Sequence, residues 1–189
     1  MSVDLYDALK SSYGDKKSKQ QLANAGYNYD SMLSNHNEQV WFNPNEKKLL
    51  YNVAGTHNLS DVGTDLYLAF GKLKDTNRYK EAGKKLEEAK KKYNVDNATI
   101  TGHSLGGAVS QYIANKNDKV YTLNKGATIG QKTRSNETAV RTSGDAVSLM
   151  NAGSKRMTTL DNTGLGVLNY LNPLGSHNVS NIKNYKIRI

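Results

Sequence analysis

Residues 98–114, ATITGHSLGGAVSQYIA, place in succession a short apolar run, a serine with glycines two positions to either side, and a helix-like pattern. In the helix-like part, Leu105, Ala108, Val109, Tyr112 and Ile113 recur at the spacing of one inner face. A chain that turns sharply from strand to helix at a serine leaves no room for side chains at Gly102 and Gly106, and Gly107 lets the helix lie close to neighbouring strands. Such an elbow presents the serine Oγ above the edge of a sheet. A plain small-residue turn uses glycine for the same backbone reason, so the rest of the chain has to decide between the two.

The surroundings predict an α/β domain. QVWFN (39–43) and LLYNVAG (49–55) are β-prone runs joined by a turn at PNEKK. Further strands are expected at ATIT (98–101), VYTLNKGA (120–127), TAVRTSG (138–144) and RMTTL (156–160). Helical patterns cover residues 61–73, 80–93 and 105–115, and residues 1–35 read as a helical lead-in with helices at 4–11 and 19–34. Strands separated by helices point to a largely parallel central sheet flanked by helices. The 189 residues carry no repeat or linker, so one compact domain spanning 1–189 is expected.

Composition narrows the partners. The chain has no cysteine, hence no disulfide framework and no thiolate metal site, and no His or carboxylate spacing suggests a metal. No cofactor is expected, and GATIGQKT (126–133) does not fit a phosphate loop because Gln131 separates Gly130 from Lys132. The formal net charge is +9, with lysines concentrated in 14–19 and 80–93. Glu87 and Glu88 lie among the second group, whose apolar stripe is Ala82, Leu86, Ala89 and Tyr93, so a solvated helix face is one reading. Peripheral attraction to an anionic membrane surface is the other. No aromatic residues interleave with these lysines, which speaks against nucleic acid. No signal-peptide core and no run of about 18 apolar residues is present, so the expectation is a chain without leader or span, suited to the cytoplasm or to a virus particle.

A serine nucleophile needs a base that is itself oriented. His36 and His57 precede Ser104, and His103 sits inside the turn, pointing away from its neighbour. His177, in NPLGSHNVSN, is the histidine that follows in the order serine, acid, histidine found in α/β-hydrolases. Between the two lie Asp118, Glu137, Asp145 and Asp161. Asp118 and Glu137 open strands at the amino end of the sheet, whereas Asp145 follows a strand on the same rim as Ser104, with Asp161 in reserve. The oxyanion donors would be the Leu105 N–H, at the helix start, and a group from Gly55-Thr56 after an earlier strand.

Four ordered segments resemble the class 3, or fungal-type, lipases: NVAGTHNLSDVGTDL (52–66), ITGHSLGGAVS (100–110), LNKGATIG (123–130) and RTSGDAVSLM (141–150). The resemblance implies an α/β-hydrolase-like fold and metal-free hydrolysis of carboxylic esters of acylglycerols or phospholipids. It makes Ser104 the nucleophile, Asp145 the acid, and Thr56 with Leu105 the oxyanion site, and His177 follows by position. The sequence departs from the family's pattern at Ala54, where an arginine is usual, and at Thr128, where a proline is. The family's His-x-Gly-Phe segment is replaced by NRYKEAGKKL, and LYLAFGKLK (66–74) is the candidate for a short lid or an ordinary packed helix. Competing expectations are a noncatalytic hydrolase-fold module that binds lipid or protein, and a peptidase, thioesterase or acyltransferase on the same triad.

Overall fold

The computed structural model describes residues 3–56, 77–126, 133–145, 147–148, 156–161 and 173–189. Two helices lead in, α1 (Leu5–Ser12) and α2 (Lys16–Asn24), started by Asp4 and Asp15, whose carboxylates accept the N–H groups of Tyr6 and Ser18. The strands are β1 (Asn28–Asp30), β2 (Glu38–Asn43), β3 (Lys48–Val53), β4 (Thr99–His103), β5 (Lys119–Leu123), β6 (Glu137–Thr142) and β7 (Met157–Leu160). Between them run α3 (Asn77–Tyr93) and α4 (Leu105–Ile113), and a short helix α5 (Pro173–Ser176) precedes a 3-10 turn at Val179–Ile182.

Among the described residues the seven strands form one sheet in chain order. β1, β2 and β3 pair antiparallel and β3 through β7 pair parallel. This mostly parallel sheet, flanked by helices and bearing a strand–serine–helix elbow at the end of β4, is the α/β-hydrolase arrangement expected from the sequence.

Alternation along the strands separates two cores. Val40, Leu49, Tyr51, Val53, Ile100 and Val120 pack against Tyr79, Ala82, Leu86 and Ala89 of α3 and Ala108 and Val109 of α4. On the opposite face Trp41 and Leu50 meet Ala8, Leu22 and Tyr27, while Leu5 and Leu9 of α1 pack on Leu123, Val140, Val179 and Ile182. Each fully buried leucine or isoleucine contributes about 1.5–3 kcal/mol. Odd-numbered β4 residues therefore face α1. Thr101 donates to Asn52 there, and His103 meets Tyr13.

Three elements differ from the sequence reading. The expected second helix ends at Asn24, and residues 28–30 form an edge strand instead. Gly26, at φ +91°, breaks the helix, and Tyr29 pairs with Trp41, ring centroids 4.9 Å apart. Tyr112, expected on the inner face of α4, is 54% exposed and lies against the ring of Tyr79. The strand expected at 120–127 ends at Leu123, because Asn124 turns the chain at φ +46°. The helix expected at 61–73 and the lid candidate at 66–74 lie outside the described residues, as does Thr128.

Candidate active site

Ser104 follows β4 directly and caps α4 with φ 55° and ψ −123°. A left-handed, non-helical backbone at a serine is a strained conformation that surrounding contacts must hold. Its main chain is tied on both sides: Ser104 N–H donates to Leu123 O at 3.0 Å, and Ser104 O accepts from Gly107 N at 3.0 Å. The glycines make this fit possible. A Cβ on Gly102 would run into Gly106 O and Ser110 Oγ, and one on Gly106 into Val53 O and Ala54 O. The tight elbow is therefore wedged against the end of β3, as the glycine spacing predicts.

Asp145 lies beyond β6, after Gly144 turns the chain at φ +81°. Its Oδ1 is 2.7 Å from His177 Nδ1, and its Oδ2 accepts the Ser148 N–H at 2.8 Å. Arg141 donates to the Asp145 main-chain carbonyl at 3.2 Å and to Ser148 Oγ at 3.2 Å. Burial pushes the Asp145 carboxyl upward. The hydrogen bond and charge of His177, together with the Ser148 bonds, outweigh it and hold the group below its usual range. An ionised carboxylate only accepts, so Nδ1 of His177 carries a hydrogen, and in the neutral imidazole the lone pair is on Nε2.

Ser104 and His177 are both buried, and Ser104 Oγ and His177 Nε2 have no hydrogen-bond partner among the described residues. Arg78 Nε, Thr133 Oγ1 and Ser176 Oγ are unpartnered too, but a serine hydroxyl on a strained elbow and an imidazole nitrogen whose ring is held by a carboxylate make Ser104 and His177 the candidate functional site. The loop bearing His177 is held through its carbonyls. Thr142 Oγ1 and Asn124 Nδ2 donate to Ser176 O at 2.5 and 3.3 Å, and His103 Nε2 lies 2.7 Å from His177 O.

The Gly55–Thr56 segment follows β3 beside the elbow. A Cβ on Gly55 would sit 3.1 Å from Ser104 Cβ and 2.7 Å from His103 O. The Gly55 N–H donates to Tyr13 Oη at 2.9 Å, and Arg78 Nη2 donates to Ala54 O at 2.6 Å. Where the family pattern has an arginine and this chain has Ala54, a guanidinium from α3 thus reaches the same stretch of backbone. Leu105 is the first residue of α4, so its N–H has no acceptor within the helix and is free by geometry to meet a developing negative charge.

The rejected acids take structural places. Asp118 binds Lys90 Nζ at 2.9 Å and accepts the Ala98 N–H, and Glu137 pairs with Lys125 at 2.7 Å. The reserve, Asp161, uses its main-chain carbonyl to accept from Tyr185. Sequence reasoning missed Tyr13, Asn124, Thr142 and Arg78. Each acts across the sheet or from a distant helix, where no local pattern records the contact. His103, inside the turn, has its Nδ1 2.7 Å from Tyr13 Oη.

Among curated proteins nothing matches the chain. Among solved structures it is similar to the Lip2 lipase of Yarrowia lipolytica, at 17% identity and a TM-score of 0.48, over 74% of this chain and 73% of that one. The family model Lipase (class 3) matches residues 31–131, more than half of the sequence and including the elbow. The chain belongs to the class 3 lipases.

Proposed function

We propose that this lipase-family protein is a serine hydrolase of carboxylic esters, working through Ser104, His177 and Asp145. The observation that supports it most is the pair of unpartnered buried atoms, Ser104 Oγ and His177 Nε2, with the other imidazole nitrogen held by a carboxylate. In this reading Ser104 Oγ bonds to the ester carbonyl carbon as His177 Nε2 takes the hydroxyl proton. The carbonyl oxygen becomes an oxyanion, stabilised by the Leu105 N–H and a donor from Thr56. Collapse breaks the bond to the alcohol oxygen, which receives the proton from His177 and leaves an acyl-serine. Water then adds with His177 as base, releasing the acid and restoring Ser104. Asp145 keeps the imidazole tautomer and offsets its transient charge.

The substrates proposed are acylglycerol or phospholipid esters. A net charge of +9 favours approach to anionic lipid surfaces, although Lys85, Lys90 and Lys92 of α3 are engaged with Glu38, Asp118 and Asp30. The test is hydrolysis of p-nitrophenyl esters and of lipid vesicles, with Ser104→Ala as control and a fluorophosphonate probe as active-site label. The reading expects labelling and turnover in the parent and neither in Ser104→Ala. Turnover undiminished in that variant removes Ser104 from the mechanism, and a folded parent that neither turns over nor labels favours a noncatalytic module. A preference for anionic vesicles at low salt is expected, shrinking as salt is raised.

A further inference from the structure

We infer that Tyr13 and His103 are positioning residues, which together form a directed hydrogen-bond chain holding the Gly55–Thr56 loop in register with the main chain of His177. The inference rests on the proposed roles of Ser104 and His177 and concerns what holds their surroundings still.

The direction of the chain follows from its two ends. His177 O can only accept, so His103 Nε2, 2.7 Å away, carries the hydrogen. A neutral imidazole has one N–H, which leaves a lone pair on Nδ1. Tyr13 Oη, 2.7 Å from that nitrogen, must then donate its hydroxyl proton to it. The hydroxyl oxygen accepts the Gly55 N–H at 2.9 Å. The sequence of bonds is therefore Gly55 N–H to Tyr13 O–H to His103, and His103 N–H to His177 O, with each hydrogen used once.

A second proton on His103 would break this order, since Nδ1 would then donate and the Tyr13 hydroxyl hydrogen would lose its acceptor. Burial, then the neighbouring charge of His177, pushes the His103 pKa down to about 3, with Asp145 opposing. Burial lifts the Tyr13 pKa to about 12 against the Gly55 bond and the Arg78 charge. Both groups keep the required protonation wherever a histidine base works.

The chain has little slack. A Cβ on Gly55 would come within 2.6 Å of Tyr13 Oη, so the loop lies directly on the tyrosine. Arg78 holds the preceding carbonyl from the opposite side of the sheet, and the Tyr13 hydroxyl is the side-chain partner of the Gly55 N–H. Displacements of the order of an ångström at such a loop cost up to about 100-fold in rate.

The test compares Tyr13→Phe, His103→Gln and His103→Leu with the parent, measuring kcat and KM for p-nitrophenyl butyrate well below each variant's thermal midpoint. Tyr13→Phe removes one oxygen and leaves the ring. It is expected to lower kcat about 10-fold with KM unchanged, because loop alignment matters most when the oxyanion forms. Glutamine can donate to His177 O and accept from Tyr13, whereas leucine can do neither. His103→Gln is therefore expected to retain several-fold more kcat than His103→Leu. Parental kcat in Tyr13→Phe, a loss confined to KM, or equal kcat in the two folded His103 variants overturns the inference. Should one variant fail to fold, the remaining comparison decides. Ser104→Ala, run alongside, separates the two levels: turnover there sinks the nucleophile assignment, while a silent Ser104→Ala beside a fully active Tyr13→Phe sinks the positioning chain alone.

Discussion

The imidazoles of His103 and His177 lie 4.6 Å apart, centroid to centroid, both buried, and they differ in their partners. His177 has an ionised carboxylate on one nitrogen and an open second nitrogen, so it can take a proton. His103 has only a carbonyl and a hydroxyl, and charge on its neighbour further disfavours its own. In the proposed mechanism adjacent histidines thus serve as a base and as a neutral strut.

That division makes stability pH-dependent with a definite sign. The His103 pKa falls from 6.5 to about 3 on folding, so between those values the unfolded chain binds more protons. Stability contributed by the neutral ring is complete above pH 6.5 and is lost as pH falls towards 3, at up to about 1.4 kcal/mol per pH unit. Urea unfolding at pH 7 and pH 5 is expected to differ by about 2 kcal/mol from this group. His103→Gln is expected to flatten that difference. Asp145 shifts downward, so its contribution is present above the ordinary carboxylate pKa and is lost only as pH falls further, below the range compared.

Asp145→Asn tests the carboxylate without changing its shape. An amide can offer His177 Nδ1 its NH2 group, which favours the tautomer with the hydrogen on Nε2 and removes the basic lone pair. A fall in kcat of the order of 1,000- to 10,000-fold is expected, with little change in KM. Steady-state ester hydrolysis reads it. A loss below 10-fold would return Asp161 to consideration as the acid.

The elbow and the mostly parallel sheet are legible because each rests on a local pattern, glycine spacing and strands separated by helices, whereas the Asp145–His177 contact is reached in sequence only through chain order. The edge strand at 28–30 is not legible, since NYD has no alternation of its own and becomes a strand by pairing with β2. Tyr112 was misread because helical spacing gives a face but not its width, and α4 buries only part of that arc. Tyr13 and Arg78 were invisible for a different reason. Tyr13 reaches Gly55 across 42 positions and Arg78 reaches Ala54 across 24, and one sequence carries no trace of such pairs.

Gly106→Ala tests whether the elbow is as tightly packed as its geometry requires. The new methyl would meet the backbone carbonyls of Val53 and Ala54, which cannot rotate away. A loss of about 3 kcal/mol or more is expected, together with loss of fluorophosphonate labelling. Gly83→Ala, within α3, is the opposite case, because among the described residues its methyl would meet only Ile113 of α4, at 3.8 Å. It is expected to gain about 0.5–1 kcal/mol in helix stability at unchanged activity. Thermal unfolding of the two variants should move in opposite directions.

The Lys125–Glu137 pair lies wholly out of solvent behind the elbow, with Nζ 2.7 Å from Oε1. Thr122 Oγ1 donates to the same carboxylate oxygen at 2.8 Å and Gln111 Nε2 to the other at 2.7 Å. Burial depresses the Lys125 ammonium pKa, and the charge of Glu137 is what opposes the depression. Removing one charge strands the other, so Lys125→Met is expected to cost about 3–5 kcal/mol. The double variant Lys125→Met, Glu137→Gln removes both charges, and the new amide can accept from Gln111 through its oxygen while its NH2 donates to Thr122 Oγ1. It is expected to recover a large part of that loss. Because Lys125 carbons also lie against Gly107 of α4, where an added Cβ would come within 3.2 Å, methionine keeps the packing behind the elbow. Denaturant unfolding of the two singles and the double gives the coupling energy directly, and additive losses would mean that the charges contribute independently rather than as a pair.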